Sequence, residues 1–102
     1  MPFILDEYTV YKYPLDAMVE TITMPSESKI LSAIKQFNRV VVYALVNEGQ
    51  MEMEEYEFLR VITGGISHGE WPLDNYTFLS TLVFNDGTYV EHVFYRKRGK
   101  IL

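Results

Sequence analysis

The sequence predicts a mainly β protein, a small antiparallel β-sandwich or open barrel of six to seven strands. Three observations carry that expectation. Apolar residues recur mostly with a period of two, the spacing that places alternate side chains on opposite faces of a strand. The run "YTFLSTLVFNDGTYVEHVFYR" (76–96) holds two β-rich segments around Asp86-Gly87, a dipeptide whose tolerance of positive φ suits a type I′ hairpin. "RVVVYALV" (39–46) is continuously apolar at strand length and reads as a central strand buried on both faces.

Taken in order, "TVYKYPL" (9–15) and "VETITM" (19–24) are short strand candidates, and Pro14 confines the first to an edge or an end because it has no N–H to donate. The segment 26–37 reads two ways. Ser26 can cap a helix with Ile30, Ile34 and Phe37 on one side, making the fold α+β with one short helix. Alternatively it is a strand that turns at Asn38 into 39–46. "YEFLRVI" (56–62) alternates, with Tyr56, Phe58 and Ile62 opposite Glu57, Leu59 and Val61. In the last hairpin a two-residue loop at 86–87 makes paired positions sum to 173. One face then carries Val83–Val90, Thr81–His92 and Leu79–Phe94 and is expected to be core. The other carries Phe84–Tyr89, Leu82–Glu91, Ser80–Val93 and Phe78–Tyr95. So aromatic a second face needs cover, which suggests a homodimer formed through Phe78, Phe84, Tyr89, Glu91 and Tyr95.

The 102 residues are expected to form a single β-rich domain, with 97–102 as a flexible basic tail. The absence of cysteine excludes a disulfide framework, a thiol nucleophile and a Cys-ligated zinc site. The start "MPFILDEYTV" has no basic segment ahead of its apolar run, so no signal peptide is expected. The longest apolar run, 40–46, is far below the roughly 20 residues of a membrane-spanning helix. A cytoplasmic location, in the host cell if the origin is viral, is the resulting expectation, and the sequon at Asn75 then has no glycosylation role. A net charge of −5 disfavours general nucleic-acid binding. The charge is uneven: 47–57 carries five glutamates and no base, whereas "RKRGK" (96–100) holds four of the nine basic residues. Solvation alone explains such runs. The functional reading makes Glu52, Glu54, Glu55 and Glu57 a contact for a basic partner.

The fragments "VYKYPL", "ITMPSESKILSA", "YALV", "VITGG", "FLSTL" and "VEHVF", in that order over residues 10–95, resemble a family of short, uncharacterised proteins found in phages and in bacteria, often in prophage regions. The resemblance implies a small β protein of viral or mobile-element origin, and it implies that 29–37 is a strand. It brings no catalytic residues.

Gly65-Ile66-Ser67-His68-Gly69 matches the G-x-S-x-G pattern of serine hydrolases. The match reads as accidental. A nucleophile elbow needs a helix after the turn and a sheet of repeated βα units behind it, whereas Gly69, Pro72 and Asn75 interrupt any helix here. The same stretch can serve as a ligand or partner loop, with Thr63, Gly64 and Gly65 allowing close backbone approach and Ser67, His68 and Trp71 adding hydrogen bonds and a stacking surface. Two histidines without repeated ligand spacing predict no metal site, and no cofactor motif is present. His92 is expected to be a satisfied core histidine bonded to Thr81, and Glu91 to have a pKa raised by burial among aromatics.

The expected function is that of a non-enzymatic phage-type binding protein that inhibits or remodels a host or defence component through protein–protein contacts. The alternative is an oligomeric sequestering protein for a small nucleotide-like signal. A small hydrolase using His68 or His92 with Glu91 ranks last.

Overall fold

The computed structural model describes residues 6–65 and 73–100. Within them the chain forms β1 (Tyr8–Leu15), β2 (Val19–Pro25), β3 (Lys29–Gln36), β4 (Arg39–Asn47), β5 (Met53–Ile62), β6 (Thr77–Phe84) and β7 (Tyr89–Lys100), with a short 3-10 turn at Leu73–Asn75. All pairings are antiparallel, in a three-stranded sheet ordered β1-β4-β3 and a four-stranded sheet ordered β2-β5-β7-β6. No sheet closes on itself, so the fold is a small sandwich.

The segment 26–37 forms no helix, and Lys29–Gln36 within it is strand β3. Its helical spacing loses to the pairing it gains with β4, and the two strands join through Phe37 and Asn38 with φ of 51° and 64°. Positive φ at both loop positions matches the right-handed twist of the flanking strands. At the last hairpin, Asp86 (φ 53°, ψ 34°) and Gly87 (φ 94°) make the corresponding turn, closed by Thr88 N–H donating to the Asn85 carbonyl at 3.1 Å. The register from Phe84↔Tyr89 to Ser80↔Val93 is the expected one.

The faces of that hairpin are reversed. Phe84, Leu82 and Val93 belong to the core, with Tyr89 and Tyr95 packed against it. Val83 and Phe78, more than half exposed, lie on the outside. An irregularity between Phe78 and Ser80 returns Leu79 to the core, so the register beyond it runs Phe78↔Phe94. The opposing layer supplies Leu15, Ala33, Val40, Val42, Ala44 and Val46. Thus β4 meets the opposing sheet on one face only. Its other face presents Val41, which is 4 % exposed between cross-strand partners Pro14 and Ile34, flanked by half-buried Tyr43 and Leu45.

The expected flexible tail is also corrected. Residues 97–100 complete β7, paired with β5 as far as Glu54↔Lys100. The pairing shifts register between Glu55 and Tyr56, leaving Arg98 without an opposite residue, and Gly99 at φ 122° provides the conformation that the bulge requires.

Candidate functional site

The connection after β5 was one expected ligand site. Thr63 continues the ladder, its N–H donating to the Val90 carbonyl at 3.0 Å, while its hydroxyl lies 2.6 Å from His92 Nε2. The Thr81 hydroxyl lies 3.0 Å from the other ring nitrogen. His92 is therefore bonded to Thr81 as expected, but on the outer face of the four-stranded sheet and half-buried, because the hairpin faces are reversed. Gly64 has φ 78°, and the Gly65 N–H donates to Ile62 O at 2.9 Å to close the turn. A side chain at Gly65 would meet that same oxygen at 3.0 Å. Ser67, His68 and Trp71 lie outside the described residues.

The acidic stretch and the basic end of the chain meet each other. Glu57, on the outer face of β5, accepts from Arg96 Nε at 2.8 Å, from Arg98 at 3.2 Å and from the Tyr76 hydroxyl, and Arg96 stacks 4.8 Å over the Tyr76 ring. The Tyr76 hydrogen bond, helped by the two arginines, holds the Glu57 carboxyl below its usual range against the opposing effect of burial. Glu54 is 4 % exposed on the inner face, with Lys97 Nζ 3.3 Å from its carboxylate. Burial pushes its pKa up, but Ser26, Lys97 and the Glu27 backbone outweigh that and leave it lowered. Two of the four predicted contact glutamates are thus engaged inside the fold, while Glu52 is exposed and Glu55 half-buried.

The predicted self-association face is largely the interior. Phe84, Tyr89, Glu91 and Tyr95 point between the sheets, and only Phe78 of that set is exposed. Glu91, 1 % exposed, is clamped by Arg60 through Nε at 2.7 Å and Nη2 at 3.0 Å, and it accepts from the Tyr89 hydroxyl at 2.5 Å. Arg60 also donates to the Leu15 carbonyl at 3.0 Å, tying the two layers together. Burial does raise the Glu91 pKa, as expected, but the Arg60 and Tyr89 bonds overcome it and the net direction is down. A carboxylate held ionised in a bidentate pair is a structural tie.

Two features were missed. One is a cleft of about 370 Å³ where the β2–β3 connection crosses from one sheet to the other, lined by Glu27, Lys29 and Ile30 against Tyr56, Tyr95 and Lys97. The Tyr56 hydroxyl donates to the Ser28 carbonyl at 3.2 Å, and burial, with Glu54 and Tyr95 nearby, pushes its pKa up to about 12. The cleft joins residues 27–30, 56, 95 and 97, a conjunction that no local pattern contains.

The other is Phe37. Its side chain is 93 % exposed at the tip of the β3–β4 hairpin, on a backbone at φ 51°. Below it, Leu31 and Ile34 on β3 and Tyr8 and Val10 on β1 are exposed. Ile34, Val10 and Tyr8 share the outer face with Val41 and Leu45. The signal was legible: once 29–36 and 39–47 are taken as strands, Phe37-Asn38 must be the loop, and phenylalanine is a poor residue for positive φ.

Among the described residues no group of three or more His, Cys, Asp or Glu side chains could hold a metal ion, and no helix is long and apolar enough to cross a membrane. No curated protein and no solved structure matches the chain. Residues 7–101, nearly its whole length, match the model of a domain of unknown function, DUF7352, and the protein belongs to that family.

Proposed function

We propose that the protein is a non-enzymatic, phage-type binding protein that acts in the host cytoplasm by touching a host or defence protein and inhibiting or remodelling it. Phe37 carries this reading. A fully displayed aromatic ring forgoes burial worth roughly 2 kcal/mol, and its left-handed backbone costs about 1 kcal/mol more. Asparagine or glycine would relieve the backbone cost and give up no burial, so a sequence selected for stability alone has no reason to keep phenylalanine there. Rigid aromatic side chains seated in a partner's pocket are the usual anchors of protein interfaces. The exposed apolar residues on the adjoining outer face, from Ile34 to Val10, extend the same surface.

The test replaces Phe37 with a photo-crosslinking phenylalanine analogue in protein made in its own host. The expected result is a covalent adduct with one host protein, and no such adduct when the analogue replaces Asp86 in the other hairpin turn. Adducts of equal yield from both tips would contradict the reading.

The cleft favours a second reading, sequestration of a small nucleotide-like signal. Lys29 offers an ammonium group to an anion beside Lys97, which also pairs with Glu54, and Tyr95 and Ile30 offer a surface to a ring. Calorimetric titration with mono- and dinucleotides separates the two: saturable uptake that Lys29→Glu abolishes and Phe37→Asn spares supports this alternative.

A further inference from the structure

Each of the two sheets has two edge strands, and an edge exposes a row of backbone donors and acceptors that proteins ordinarily block. Three of the four edges here are blocked. β3 and β6 lie against each other, with Ala33 N–H donating to the Ser80 hydroxyl at 3.1 Å, and each is interrupted by a register shift. On β1 the Glu48 N–H donates to the Glu7 carbonyl at 2.7 Å, so by alternation the backbones of Tyr8, Val10, Lys12 and Pro14 face outward. Pro14 has no N–H, and Lys12 places a charge on that edge.

β2 carries its one proline, Pro25, at its last position, and from Val19 to Thr23 it has no proline, no lysine and no register shift. Arg60 N–H donates to Met18 O, and Ser26 N–H to Glu52 O, both at 2.8 Å, which extends its ladder with β5 at each end. Between them the register is continuous, so Glu20, Ile22 and Met24 turn their backbones to β5, and Val19, Thr21, Thr23 and the terminal Pro25 turn theirs outward. Val19, Thr21 and Thr23 are exposed, and their N–H groups have no partner among the described residues. The only nearby acid on the strand, Glu20, is folded back to accept from the N–H groups of Asp16 and Ala17 at 2.8 and 3.0 Å.

We propose that this edge pairs with a second copy of the chain, β2 antiparallel to β2 about a dyad at Thr21, making one continuous eight-stranded sheet from two four-stranded ones. The strand is complementary to itself. With Thr21 facing Thr21 of the partner subunit, Val19 faces Thr23 of the partner subunit, and every outward N–H and C=O of the three residues finds a partner. On the inner face Glu20 falls opposite Ile22 of the partner subunit, so no like charges are set directly against each other. Threonine and valine are the β-branched residues that such cross-strand pairs favour. This interface is distinct from the Phe37 surface and from the hairpin face predicted from sequence.

Native mass spectrometry and residue-resolved amide exchange test it together. The wild-type chain should run at twice its 11.9 kDa mass, with the Val19, Thr21 and Thr23 amides exchanging more slowly as concentration rises. Thr21→Pro removes only an outward N–H, so the variant should keep its β circular dichroism and run at monomer mass. Val19→Lys should likewise weaken the dimer by setting a charge on the edge. A monomeric wild type, a dimer in which those three amides stay unprotected, or a folded Thr21→Pro variant that remains dimeric would each overturn the proposal.

Discussion

Glu91 shows how one buried carboxylate can be read correctly as unusual and wrongly as reactive. Its place among Phe84, Tyr89 and Tyr95 was legible from hairpin pairing, but its partner Arg60 lies on another strand, and no local pattern links positions 60 and 91. Removing one member of a buried pair strands the other charge. Glu91→Gln should therefore cost about 3–5 kcal/mol in chemical denaturation, and a loss under about 1 kcal/mol would show the pair to be solvated. The pH dependence follows from the shifts. Glu57, Glu54 and Glu91 have folded-state pKa values below the ordinary 4.5, so the stability they confer is fully present above that value and is lost as pH falls through the lowered ones. Tyr56 acts at the other limb. Its pKa is raised from 10.0 to about 12, so its contribution is complete below 10 and fades as pH climbs toward the folded value. Denaturation midpoints across pH should fall at both ends, and Tyr56→Phe should flatten the alkaline limb alone. An unchanged alkaline limb in that variant contradicts the assignment.

At the level of strands, the sequence held more than it disclosed about orientation. Period-two alternation, Asp86-Gly87 and the run 39–46 placed the strands and the register of the last hairpin. Which face of that hairpin points inward was not legible, because both are rich in large apolar residues and the bulge at Leu79 moves one of them across. The acidic and basic runs misled for a related reason. A run of like charge looks solvated when read alone, yet β5 and β7 bring Glu54 and Glu57 against Arg96, Lys97 and Arg98. Residues 97–100 are thus a structural part of β7. Truncation after Arg96 removes Lys97, which faces Glu54, and Arg98, one of the two cations on Glu57, together with the β7 backbone paired with Glu54 to Tyr56. It should lower the thermal midpoint by several degrees, on the order of 2 kcal/mol for a domain of this size. A midpoint equal to that of the full chain would restore the view of these residues as a free tail.

At the scale of the whole molecule, the interior is closed by cross-sheet ties, while the most conspicuous unsatisfied surface lies at the β3–β4 tip and the outer face below it. Sequence reading placed its expected contact surface on the ribbon that turns out to be core. It missed Phe37 because apolar residues are first counted toward the interior. The central claim is that Phe37 is kept for contact at a cost in stability, and Phe37→Asn tests it most directly by measuring unfolding free energy and partner capture on the same protein. Asparagine tolerates positive φ and exposes little apolar surface, so the variant should gain about 0.5–1 kcal/mol and lose its host partner. A variant that is destabilised, or that keeps the partner at wild-type yield, would contradict the account.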